Sequence, residues 1–374
     1  MPEEVSNMGP IEILKAYEQK FPDAPVLSEK GKAIIEAKRL KEKEMGKAKD
    51  TPAAAGAYAS FEEYKTEKVA AHELLGLELS QLCTAMGNPI KLTVNVNTPF
   101  PEHIPAINKN YVFSDLELVR DVIMMLELGI PGFLWGHAGV GKTTIVQQIC
   151  ALMNRPVVRA QHTASTEESH ITGQILVKSG ATYFEPGLLA LAMRCGWVYL
   201  ADEYDFAYPQ ILGIYQPVLE GEPLVIKEAT PDWRRVNPHS SFAFIGTGNT
   251  NGSGDETGLY QGTNIMNAAN FSRFGIVTRV NYLPRKQEEA ILIKAGLDEE
   301  FAGKMVKFAD LIRQAYESHN ISQPIGPREL ICAAQVGFAR GGDFKAGLTK
   351  AFINKLPSIS AKAAEEIVQR VFGS

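Results

Sequence analysis

Gly136-His137-Ala138-Gly139-Val140-Gly141-Lys142-Thr143 has the spacing G-x-x-x-x-G-K-[ST] of a phosphate-binding loop. The glycines let successive backbone N–H groups turn toward one anion, and a helix starting behind them adds the positive end of its dipole. Lys142 is placed to reach the β- and γ-phosphates of a nucleoside triphosphate, and the Thr143 hydroxyl to hold Mg²⁺. The context fits. Gly132-Phe133-Leu134-Trp135 reads as a short buried strand before the loop, and residues 144–149 read as the start of a helix after it. Thr144 is counted with the loop among the nucleotide-binding residues.

Further along, Asp202-Glu203 ends the apolar run Trp197-Val198-Tyr199-Leu200-Ala201. In a phosphate-loop ATPase the carboxylate at this strand end holds Mg²⁺ through water, and the next one polarises the attacking water. Asp202 takes the first role and Glu203 the second, with Asp205 a weaker candidate. The plainer alternative is a helix cap. Thr247-Gly248-Asn249-Thr250 ends another apolar run. A polar side chain there can orient the lytic water or sense the γ-phosphate. Asn249 is the better candidate and Thr247 the second, although Gly-Asn is also a common turn. Arg273 directly precedes a further strand, and Arg328 opens a late helix. Arg273 suits an arginine finger offered to a neighbouring subunit. Arg328 suits a cation reaching back to its own nucleotide. Taken alone, a surface ion pair is the commoner fate of either arginine.

These side chains need a scaffold that brings strand ends together. Residues 111–285 alternate strand and helix, with strands read at Phe133-Leu134-Trp135, Pro156-Val157-Val158-Arg159-Ala160, Trp197–201, Phe242–247 and Ile276–280. Near-continuous apolar strands with intervening helices predict a five-stranded parallel sheet covered on both faces, a three-layer α/β/α domain around the phosphate loop. Residues 286–374 keep helical periodicity and predict a C-terminal helical lid. Residues 1–110 differ in texture and read as an accessory, mostly helical region. Residues 29–50 predict a solvated charged helix, 51–57 a linker, 61–82 an amphipathic helix, and 91–97 a short strand.

Composition narrows the function classes. No apolar run reaches the ~18 residues of a membrane span. The acidic start Met1-Pro2-Glu3-Glu4-Val5 lacks signal-peptide features. A cytoplasmic protein without a membrane partner is expected. The four cysteines are far apart, with no C-x-x-C pair, which argues against zinc and disulfides; three of them lie in apolar stretches and read as buried. A formal net charge of −5 disfavours a broad nucleic-acid surface but leaves room for a local basic pore, for which Arg234 and Arg235 are candidates.

The loop, Asp202-Glu203, Asn249, Arg273 and Arg328 occur in the order of AAA+ ATPases, and the chain resembles their MoxR branch. Longer stretches carry the likeness further. Asp202-Glu203-Tyr204-Asp205, residues 245–250, residues 254–263 and Asn281-Tyr282-Leu283 are similar to the small AAA+ subunits of aerobic cobaltochelatases. Ser272 stands where those sequences usually carry Asp. The resemblance implies ATP with Mg²⁺ as the nucleotide pair, a homo-oligomeric ring, expected to be a hexamer, and a partner with a von Willebrand A domain. It also implies that residues 170–190 and 223–237 form the two inserted hairpins of MoxR proteins, the first meeting clients. Tyr111-Val112-Phe113 is read as packing on the adenine. Three functions follow as expectations: a motor that powers cobalt insertion into a corrin ring on a larger partner, a chaperone for another client or metalloenzyme, and a motor on nucleic acid.

Overall fold

The computed structural model describes residues 61–178 and 180–373. The readings over 29–50 and 51–57 lie outside the described residues. Of the described residues, 69–91 belong to the smaller of two compact units, and 61–68 with 92–373 belong to the larger. In the small unit, helix α1 (Ala71–Leu75) buries Ala71, Leu74 and Leu75 and ends at Gly76 in the left-handed conformation. The amphipathic helix expected over 61–82 is therefore reduced to these five residues, and Thr66–Ala70 is a strand, β1. Gly76 stops the helix as a C-terminal glycine does. Phe61 and Tyr64 pack on the core of the large unit, and Tyr64 donates to the Cys195 carbonyl at 2.8 Å. Tertiary contacts thus hold that stretch outside a helix. The strand expected from Lys91 is β2 (Lys91–Asn95).

In the large unit, β3 (Gly132–Trp135), β4 (Val157–Gln161), β7 (Val198–Asp202), β10 (Ala243–Gly248) and β11 (Ile276–Arg279) form one parallel sheet in the order β11-β3-β10-β7-β4. Every residue of β7 and β10 is buried. That requires cover on both faces and explains their unbroken apolar sequence. Helix α2 (Leu116–Leu128), N-capped by the Asp115 carboxylate, packs on β10 and β11. Helix α3 (Lys142–Leu152) follows β3, and helix α4 (Leu188–Cys195) packs on β4 and β7. Register sets Gly248 beside Trp135 and Asp202 beside Gln161. The carboxyl ends of the central strands therefore open at one edge, where ligands bind in open α/β sheets.

Two antiparallel hairpins stand off this sheet: β5 (Gly173–Lys178) with β6 (Ala181–Pro186), and β8 (Leu224–Val225) with β9 (Arg235–Val236). The segment after β10 leads through helix α5 (Ala268–Phe271) to β11. Beyond β11 come α6 (Arg285–Lys294), α7 (Glu299–Glu317), α8 (Pro327–Ala339), α9 (Phe344–Ala351) and α10 (Ser358–Phe372). They enclose a core of their own, with Phe308, Ile312, Leu330, Leu348 and Ile367 among its members. Among the described residues no helix is long and apolar enough to cross a membrane. Cys150 and Cys195 are buried, Cys83 is half-buried and Cys332 is exposed. The expectation of three buried cysteines fails at the surface of α8, where Cys332 faces a cleft rather than the helical core.

Candidate functional site

The phosphate loop bridges β3 and α3. Gly136 accepts no side chain, because a Cβ there would lie 2.2 Å from the Val280 carbonyl oxygen. Gly141, the N-cap of α3, has φ 100°, which side-chain-bearing residues rarely adopt. These two positions explain why the loop is glycine-rich, and the loop borders a cleft of about 940 Å³. The cleft is lined by the whole run 138–145, by Asp202, Glu203 and Asn249, by Tyr111 and Val112, and by Arg328 from α8. Phe113 of the predicted adenine contact is buried instead, with its ring edge-on to Tyr111 at 4.9 Å.

Lys142 is buried, and its ammonium donates to the carbonyls of Gly136 at 2.6 Å and His137 at 3.0 Å and to Asn249 Oδ1 at 3.0 Å. Burial lowers its pKa to about 8, against the pull of Asp205, Asp202 and Glu203. Asn249 thus touches the one cation at the heart of the loop. Thr143 Oγ1 donates to Asp202 Oδ1 at 2.7 Å, and Thr247 Oγ1 donates to the same oxygen at 2.5 Å. Arg159 on β4 holds the other oxygen, Nε to Oδ2 at 2.6 Å. Burial alone would raise the Asp202 pKa, but hydrogen bonds from Thr247, Thr143 and Arg159 outweigh it and keep the carboxyl below its usual range. An ionised carboxylate beside a threonine hydroxyl is a hard oxygen pair that fits Mg²⁺. Among the described residues no group of three or more His, Cys, Asp or Glu side chains could hold a metal.

Glu203 sits at φ 53°, ψ 42°, one of three non-glycine residues with positive φ among those described. Such strain persists where the surroundings over-determine it. Its side chain accepts from Gln161 Nε2 at 3.0 Å, and its N–H reaches Thr247 Oγ1 at 3.3 Å. Asp205 has a different place from the one the sequence suggested. It is fully buried, and Oδ2 accepts from the N–H groups of Asn249 and Thr250 and from the Thr250 hydroxyl, each at 2.9 Å. It holds the turn that carries Asn249, and burial raises its pKa against those hydrogen bonds.

The two arginines part company. Arg328 lines the cleft, its Cβ 3.4 Å from where a Cβ on Gly139 would stand. Arg273 is not part of the cleft lining in its own chain. Its Nε donates to Glu220 Oε1 at 2.9 Å and its Nη1 to the Ala269 carbonyl at 2.5 Å.

Several residues in the site had no local sequence signal. Arg159 and Gln161 stand on β4 two residues apart, so both point to the face shared with Asp202 and Glu203. Tyr260 reaches the loop from the segment after β10. Its hydroxyl accepts from the Ala138 N–H at 3.1 Å and lies 2.9 Å from His137 Nδ1. His137 stacks on Tyr282 at 5.7 Å, and Arg313 of α7 lies over Tyr282 at 3.9 Å. Arg313 in turn makes two 2.8 Å bonds to the buried Glu288 carboxylate. The loop is therefore wired to the helical region through aromatic rings.

Residues 131–289 match the AAA domain (dynein-related subfamily). The chain is 31% identical over 283 residues to the aerobic cobaltochelatase subunit CobS of Sinorhizobium sp, covering 72% of this chain and 83% of that protein. It is 24% identical over 251 residues to the denitrification regulatory protein NirQ of Stutzerimonas stutzeri, covering 67% and 84%. Over 119 residues it is 29% identical to von Willebrand factor A domain-containing protein 8 of Mus musculus, covering 32% of this chain and 6% of that one.

Proposed function

The chain belongs to the AAA+ ATPases, in their dynein-related, MoxR-like branch, and on that premise we propose that it hydrolyses ATP at the subunit interfaces of a ring and uses the cycle to remodel a partner protein. The observation that carries this reading is the division of the site: the loop, Asp202, Glu203, Asn249 and Arg328 gather at one cleft, while Arg273 is held apart from it. A site of that kind is completed by the next subunit's Arg273, and a hexamer is the assembly we expect.

In this mechanism Lys142 and the N–H groups of residues 139–144 hold the phosphates, and Thr143 and Asp202 would hold Mg²⁺. A Mg²⁺ ion held there would supply positive charge to offset the charge that develops on the phosphates. Glu203 accepts the proton of the attacking water, and Asn249, already bonded to Lys142, orients that water. Arg328 follows the γ-phosphate from the helical region, so hydrolysis shifts residues 286–374 as a lid against the sheet domain of 111–285. The aromatic path from His137 to Arg313 supplies a mechanical link for that movement.

Similarity over most of the length of CobS supports the finer reading of a cobaltochelatase motor subunit, working beside a partner with a von Willebrand A domain. Similarity to NirQ, a denitrification regulatory protein, supports the broader alternative of an ATPase of this branch that acts on another client. The test is ATPase rate against protein concentration, with Glu203→Gln and Arg273→Ala in parallel. A cooperative rise, two inactive variants and recovered activity in their equal mixture are expected. A flat rate per protomer with a fully active Arg273→Ala would sink the shared site.

A further inference from the structure

Tyr204 follows Glu203 directly and is fully buried. Its hydroxyl donates to Asn270 Oδ1 at 2.8 Å, and Asn270 Nδ2 donates to the Leu212 carbonyl at 2.8 Å. Asn270 is itself buried and lies on α5, three residues before Arg273. Arg273 leans back on that same helix through the Ala269 carbonyl. Around the pair the packing is aromatic. Tyr204 meets Phe274 edge-on at 5.6 Å, and Phe271 and Phe274 lie 5.6 and 5.3 Å from Phe133 on β3.

The rings alone would bury α5, and they tolerate sliding. A hydrogen bond fixes distance and direction. A buried amide among rings loses its water and must find partners for both ends, which Asn270 does in residues 58 and 66 positions away. One end of this bond is therefore tied to the helix under Arg273. The other is tied to the residue after Glu203, whose backbone is held in the left-handed region. Any relaxation of Glu203 out of that conformation turns the backbone at Tyr204 and moves its hydroxyl.

We propose that Tyr204 is a positioning residue: through Asn270 it links the nucleotide state of its own cleft to the setting of the Arg273 it offers to the next subunit. This rests on the shared-site reading above.

The experiment uses Tyr204→Phe, which keeps the ring and removes the hydroxyl. The expected result is a fall in kcat of about tenfold or more, as for misplaced reacting groups, with ATP affinity unchanged. Mixing then assigns the defect. With Glu203→Gln, which has an intact finger, Tyr204→Phe should regain activity; with Arg273→Ala it should not. Recovery with Arg273→Ala places the fault in the variant's own cleft and overturns the proposal, as does full activity of Tyr204→Phe alone. The Glu203→Gln and Arg273→Ala mixture is the control: if it stays inactive, the shared site fails and takes this link with it. A second measurement needs no variant. In dilute, unassembled wild-type protein, a non-hydrolysable ATP analogue should change amide hydrogen exchange over residues 268–272, and unchanged exchange there would refute the link.

Discussion

The sheet domain and the helical region each bury a core of their own but fill it differently. The core under the sheet holds Tyr199, Tyr204 and Tyr215, with His162 hydrogen-bonded to Tyr215 at 2.7 Å and Tyr215 to Tyr199 at 2.9 Å. Buried Asp202, Asp205, Thr247 and Asn270 stand around it. The core of α6–α10 is aliphatic and phenylalanine-rich. Its region's buried polar side chains are Glu288, paired with Arg313, and Ser360. Hydrogen bonds among these groups fix distances and directions, while Asp205 Oδ1 finds no partner among the described residues. The sheet side thus holds reacting groups in place, while the helical side is held together mainly by apolar contact.

That contrast can be broken from either side. The largest effect belongs to Glu203→Gln, which removes the proposed proton acceptor: turnover should fall by roughly 10²–10⁴-fold, while ATP binding and thermal unfolding stay close to wild type. Loss of ATP binding along with turnover would move Glu203 from chemistry to structure. On the helical side, Phe308→Ala empties a fully buried ring position. Denaturant unfolding should show a loss of about 3–5 kcal/mol; a change below about 1 kcal/mol would mean that this core is loosely packed.

A smaller effect comes from pH. Lys142 has its pKa lowered to about 8, and bound phosphates favour the ammonium, so its pKa rises in the complex. Above that pH, binding must take up a proton. ATP affinity should be level between pH 7 and about 8, then weaken by up to about tenfold per pH unit. Lys142→Arg, whose charge persists, should bind without that slope. A wild-type titration that stays level to pH 9.5 would show that Lys142 remains charged in the free chain. Smallest of all, Ile359→Lys on the exposed side of α10 should shift stability by less than about 0.5 kcal/mol. A larger loss would mean that this face is covered in solution.

Legibility followed the same division. The phosphate loop and Asp202-Glu203 are contiguous runs whose chemistry depends on near neighbours, and all five strands announced themselves as apolar runs. The helical region was readable because amphipathic periodicity is itself local. Arg159, Gln161, Tyr260 and Asn270 were not readable, because each acquires meaning only from partners more than 40 residues away. Asp205 was read as a weaker candidate for the acidic pair's roles, and its hold on the turn that carries Asn249 had no local signal. The stretch 61–82 failed for a related reason: its leucine spacing is helical, but Phe61 and Tyr64 answer to a distant core.

The left-handed backbone at Glu203 has a practical consequence for anyone engineering this protein. Glycine and asparagine adopt that conformation more readily than glutamate. A library screened for heat tolerance alone would therefore enrich those residues at position 203 and return robust proteins that no longer turn over. Selection at this position has to be made on activity first.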